Sequence, residues 1–197
     1  MSLQMLAALF AVVLALLIVA FLALTTYNAI VDLRLRIDKA WSNIDVALKQ
    51  RFDQLPNLVG AVRDVMSWEQ GVLTAVAAAR AAYSPAAAIP DQAATSAATS
   101  TAVRSLFAVV ERYPEVRSAA NVLALQEEIE RLESMIADRR ELYNDQVYRY
   151  NTRIAQVPAV LLAGPFGWRA RPFFEAPETD RRRPDADLQA DANPQPD

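Results

Sequence analysis

The chain of 197 residues contains no cysteine and no histidine, and each absence removes a class of chemistry. Without cysteine there is no disulfide framework, no thiolate metal site and no residue to carry a lipoprotein's acyl chain. Without histidine there is no Ser-His-Asp triad, no carboxylate-and-histidine metal pair of the helical-bundle type and no imidazole pH switch. No Gly-rich phosphate loop occurs. Lys and Arg number 20 against 23 Asp and Glu, a net charge of −3, so the overall basic footprint of a nucleic-acid binder is missing and no such partner is expected.

Charge is also missing from one end. No Asp, Glu, Lys or Arg precedes Asp32, and Met5 to Leu24 is an unbroken apolar run. A run of about 20 residues crosses a bilayer as one helix. A cleaved secretory signal is the rival reading, but its central region is typically about 7–15 residues and follows a basic stretch. Here no basic residue precedes the run, and Ala23-Leu24-Thr25 is a weak match to a cleavage site. Residues 1–26 are therefore expected to be a transmembrane anchor, with the lipid bilayer as partner through Met5 to Leu24. Arg34, Arg36 and Lys39 follow shortly. The positive-inside rule then predicts a single-pass protein with its short N-terminus outside and its main domain in the cytoplasm.

Past the run, apolar residues recur three or four apart at Ile30, Leu33, Ile37, Trp41, Ile44, Leu48, Phe52 and Leu55, the period of an amphipathic helix. Nothing near Tyr27 breaks a helix, so the span is expected to continue into the soluble domain. Pro56 is expected to end this first helix and open a second, making a tight hairpin. The second helix carries Leu58, Val62, Val65, Val72, Val76, Ala79 and Tyr83. Ser84 to Ser100, rich in Ala, Ser and Thr with Pro85 and Pro90, reads as a loop. A short helix over Thr101–Arg112 follows, and then a long one from Glu115 to about Val157, which would extend roughly 60 Å. The fold class is all-α: an antiparallel helical bundle of about four helices with coiled-coil character, one of them long, after the anchor. Residues 27–176 form the bundle domain, and 177–197, with Arg181 to Arg183 among aspartates and prolines, are expected to be a disordered polar tail.

Two segments resemble the LemA family closely: Ala40-Trp41-Ser42-Asn43-Ile44-Asp45 and Leu55-Pro56-Asn57-Leu58-Val59. Tyr143-Asn144, Tyr150-Asn151, Val157-Pro158 and Phe173-Phe174-Glu175 follow in the order of that family. The resemblance implies an antiparallel bundle behind one membrane helix and a link to membrane or envelope organisation, and it implies no reaction. One departure is plain: Trp68 stands before Glu69 where the family commonly has histidine.

The candidate interaction residues each have a structural reading beside the functional one. Trp41, Asn43, Asp45, Arg51, Pro56 and Asn57 lie along the expected hairpin. Arg51 could bind an anion or carboxylate, whereas Asn57 and Asp53 would cap helix ends. Tyr143, Asn144, Tyr150 and Asn151 repeat seven apart on one helix face, a seam that would fix which helix lies opposite, or the lining of a groove for carbohydrate or peptide. Glu127, Glu128, Glu130 and Glu133 could gather a cation, but beside Arg131 they read as a solvated helix face. No metal, cofactor or catalytic residue is assigned. The function expected is a non-enzymatic, membrane-anchored scaffold that recruits unknown protein partners. Self-assembly or lipid remodelling is the alternative, and an enzyme using carboxylates with Arg51 ranks third.

Overall fold

A computed structural model describes residues 3–63 and 68–175, so the expected tail from residue 177 lies outside the described residues. Every regular element among them is a helix: α1 (Leu3–Arg63), α2 (Gln70–Ala82), α3 (Ile89–Val110), α4 (Pro114–Arg117), α5 (Ala120–Ala155) and α6 (Ala159–Ala163). This is the expected all-α bundle. Its spine is α1, 61 residues long, which carries the apolar run into the core without a break.

The first buried residue of α1 is Thr26, and every described residue before Leu22 is exposed within the chain. From there a heptad takes over. Ile30, Ile37, Ile44, Arg51 and Leu58 lie seven apart and are all buried, matched on α5 by Val122, Ile129, Ile136, Tyr143 and Tyr150. A seven-residue apolar repeat on both partners is the pattern of antiparallel helices packed along a common seam. Contacts at three levels fix the register: Arg51 with Glu133, Trp41 with Tyr143 and the Arg139 guanidinium donating to the Asn43 carbonyl. A second layer is built on the far half of α1, with α2 packed on α1 and α3 on α2, and α3 joined to α1 through Arg51.

Three boundaries differ from the sequence reading. Pro56 does not end the first helix, which runs on to Arg63. A proline inside a helix costs about 3 kcal/mol, but Leu58, Val59 and Val62 beyond it are at most 7% exposed, and three such side chains are worth roughly 5–9 kcal/mol when buried. Packing wins, and the proline faces solvent. Second, Ser84 to Ser100 is not one loop, because α3 starts at Ile89. Pro90 sits in its first turn, where a proline is tolerated. The buried Gln92 side chain closes the preceding turn by donating to the carbonyls of Pro85 and Ala87. Third, the long helix is interrupted at Ser118 and Ala119, leaving α4 as one turn and α5 as 36 residues.

After α6, a turn with Gly167 at φ +64° brings Trp168 onto α1, where it is 7% exposed. The chain then runs back along α5 as an extended strap to Glu175.

Candidate functional site

The core seam contains one charged residue. Arg51 takes the heptad position that holds isoleucine three times before it on α1, and its side chain is fully buried. Its guanidinium joins three helices. Nη1 donates to Glu133 Oε1 on α5 at 2.7 Å and to Ser100 Oγ on α3 at 3.0 Å, while Nη2 donates to Ser96 Oγ at 3.0 Å. The Ser100 hydroxyl donates to the other oxygen of Glu133 at 2.7 Å. Only Nε lacks a partner. The guanidinium carbon also lies 5.0 Å from the Phe52 ring centroid, and Phe52 stacks on Tyr83 at the end of α2 with centroids 4.0 Å apart. Tyr83 Oη in turn donates to Asp45 at 3.5 Å.

The sequence supports this arrangement locally. Serines on α3 at positions 96 and 100 are one turn apart and on the same face, and their small side chains leave room for the guanidinium between helices. Burial pushes the Arg51 guanidinium below its ordinary range, and Glu133 opposes that shift. Burial likewise raises the Tyr83 hydroxyl, with the Asp45 charge adding to it.

Glu133 is the member that reaches water, with 29% of its side chain exposed. It lines a cleft of about 370 Å³ between α3 and α5, whose walls include Ser96, Ser100, Thr101, Arg104 and Arg140, with Phe174 of the strap at one end. Chemically the cluster is an ion pair closed on itself. Arg51 and Glu133 satisfy each other's charge and the hydroxyls of Ser96, Ser100 and Thr101 are hydrogen-bonded, so the cleft's remaining charge lies in the guanidinium groups of Arg104 and Arg140.

The other candidates form a second group. Tyr143, fully buried, donates to the Pro172 carbonyl at 2.9 Å, and burial pushes its hydroxyl up to about 12. Asn151 receives the Arg171 amide at 2.8 Å and donates to the Arg171 carbonyl at 3.0 Å. Asn144 does the same for Phe174 at 2.8 and 3.5 Å. The spacing explains the repeat. Seven helical residues advance about 10.5 Å, and three extended residues from Arg171 to Phe174 span roughly 10 Å. Two side-chain amides one heptad apart therefore clamp an extended segment as a strand neighbour would. Tyr150 lies buried in the seam, and Trp41 packs between Tyr143 and Phe174 at 5.7 and 5.8 Å.

The hairpin group does not come together. Asn43 is exposed and offers only its backbone carbonyl, to Arg139 at 2.6 Å. Pro56 and Asn57 are on the surface of α1, where Asn57 donates to Gln54 and caps no helix. Trp68 is 86% exposed, and Glu69 accepts from Arg112 and Tyr113. The glutamate cluster divides: Glu128 takes Arg131 in two hydrogen bonds, which hold its carboxyl below the usual range, while Glu133 turns inward to Arg51. Ser96, Ser100 and Glu133 are the site members that the sequence reading did not join to Arg51. The seven-residue step from Ile44 to Arg51 is the signal that could have found the buried guanidinium.

The model of the LemA family matches residues 40–187, which includes both the Arg51 cluster and the asparagine clamp. Among curated proteins no match to the chain is found.

Proposed function

We propose that this chain, which belongs to the LemA family, is a membrane-tethered scaffold without catalytic activity, held in the bacterial inner membrane by Met5 to Leu24 with its bundle in the cytoplasm. Family membership and the apolar helix fit a membrane-associated protein. The observation that carries the reading is the continuity of α1. The apolar run is left uncovered by the rest of the chain, and the same helix supplies the core seam of the bundle. A flexible linker would let the domain wander, whereas an uninterrupted helix holds it at a fixed height and angle above the bilayer. Exposed Arg34, Arg36 and Lys39 just beyond the span support the cytoplasmic orientation. The closed Arg51–Glu133 pair supports a structural role, because neither group is left as an acid, base or anion ligand.

The surface that partners would use includes the cleft beside Glu133, where Arg104 and Arg140 suit an acidic segment of another protein. Self-association of the same scaffold is favoured by Leu35, Leu142 and Tyr148, each at least half exposed.

The test is cross-linking with mass spectrometry on intact cells, using a membrane-impermeant amine reagent in parallel. Lys39 and Lys49 are the chain's only lysines and both are exposed, so sidedness reads cleanly. Protection of both lysines until the cells are opened, with recurring links to other proteins, is the expected result. Labelling from outside refutes the orientation, and links only between copies favour self-assembly.

A further inference from the structure

We infer that the segment from Val157 to Trp168 is a second membrane contact, a collar lying in the headgroup region beside the point where α1 leaves the bilayer. The inference rests on the reading that α1 crosses the membrane. Its partner is the lipid surface.

The antiparallel register places the segment there. Arg51 faces Glu133 and Trp41 faces Tyr143, ten residues apart on both helices. Fourteen residues further, Tyr27 on α1 is level with Val157 at the end of α5. Tyr27 is three residues past Leu24, the end of the apolar run, which is about 5 Å along a helix. Ring contacts agree: Phe166 lies 5.2 Å and Trp168 6.2 Å from Tyr27, and the two stack on each other at 5.3 Å.

The segment's own chemistry matches that depth. No charged residue occurs from Ile154 to Trp168, and Arg153 and Arg169 bracket it. α6 packs inward through Ala159, fully buried, and Leu162, partly buried, and turns Val160 and Leu161 out, with Val157 before it and Phe166 after it exposed as well. Val157 is 73% exposed, Val160 45%, Leu161 71% and Phe166 51%. In water these would be an uncovered apolar patch at one end of the bundle. Beside a membrane helix the patch continues the apolar surface of the span, with Tyr27 and Trp168 at the level where amphipathic rings collect and flanking arginines suited to anionic headgroups. A collar of this kind adds a second point of attachment, so the bundle is fixed in rotation about α1 as well as in height.

Spin-label depth measurements on the full chain test this, because a chain without cysteine accepts single cysteines cleanly. Leu161→Cys, Leu16→Cys and Leu123→Cys, all at exposed positions, are labelled with a nitroxide in vesicles of phosphatidylcholine and phosphatidylglycerol. Collision rates with oxygen and with a neutral nickel chelate are then compared. The expected order is Leu16 deep, Leu161 shallow but on the lipid side with oxygen favoured over nickel, and Leu123 aqueous with the ratio reversed. A Leu161 label as open to nickel as Leu123, with Leu16 still deep, overturns the collar and leaves the anchor standing. A Leu161 label immobile and shielded from both reagents also overturns it, since a protein partner or second copy would then cover the patch. Nickel access at Leu16 overturns the anchor reading, and the collar with it.

Discussion

Replacing either member of the buried ion pair should destabilise the bundle, and the two replacements should not cost the same. Arg51 has no exposed side-chain surface, while 29% of Glu133 is exposed through the cleft. Glu133→Ala strands a guanidinium that is fully buried in the parent. Loss of one partner of a buried pair costs about 3–5 kcal/mol. Arg51→Met leaves a carboxylate instead, but that carboxylate can rehydrate through the cleft, and methionine refills much of the space. A cost of about 1–2 kcal/mol is expected there, nearer to that of a lost hydrogen-bond network than of a stranded charge. The double variant Arg51→Met/Glu133→Leu leaves no charge to desolvate, and should lie between neutral and about 1–4 kcal/mol more stable than the parent. Denaturant unfolding of the full chain in detergent micelles, followed by the far-ultraviolet helix signal, measures all four members of the cycle. The reasoning is refuted if Arg51→Met costs as much as Glu133→Ala, or if the double variant loses the sum of the two single losses.

Tyr143 gives a pH signature. Its hydroxyl ordinarily titrates near 10 and is pushed up to about 12 in the fold, so the neutral form is favoured by folding. The associated stability is fully present below about pH 10 and is lost as pH rises toward 12, on the order of 2–3 kcal/mol. Thermal melts across that range should show the loss in the parent and a smaller one in Tyr143→Phe. Asn151→Ala removes both side-chain hydrogen bonds to Arg171 and should cost about 1–3 kcal/mol. Its readouts are faster amide exchange at Arg171 and earlier tryptic cleavage at Arg169, since the Arg171–Pro172 bond resists trypsin. Pro56→Ala restores an amide hydrogen on the exposed face of α1 and should stabilise by about 1–3 kcal/mol, seen as a higher melting temperature. A lower one would mean that the proline holds a bend the packing needs.

Much of the architecture was legible because it rests on periodicity. The apolar run, its continuation into α1 and the stripes of α1 and α5 all follow from residues three, four and seven apart. The differences share a cause: tertiary contacts outvote the local signals. Pro56 is a strong breaker in isolation, yet buried Leu58, Val59 and Val62 carry the helix past it. The Ala, Ser and Thr composition before Thr101 looks like a linker, but alanine is the best helix former, and Ser96 and Ser100 are needed small beside a guanidinium. The Tyr-Asn repeat was visible as one face, while its function as a clamp depends on a strap that begins 20 residues after Asn151. Arg51 reads as a ligand for an anion or carboxylate, but its partner Glu133 stands 82 residues away and no local pattern joins the two.

That charge is also what makes the alignment of the two long helices discriminating. Aliphatic seams tolerate slippage by a heptad, since each apolar residue meets another after seven residues. A slip in one direction would still set Trp41 level with Tyr150, and in the other with Ile136, both acceptable neighbours. Arg51 would meet Arg140 in the first case and Gln126 in the second. The first opposes two cations in the core and the second leaves the buried charge unpaired, so either costs several kcal/mol. A single polar residue in a heptad seam has this use: it lowers stability and fixes alignment. Here alignment has a consequence at the far end of the bundle. One heptad is about 10.5 Å, enough to carry Val157 and the Phe166–Trp168 pair away from Tyr27 and from the end of the apolar run. The position of the bundle relative to the apolar run is therefore set some 24 residues away, at Arg51.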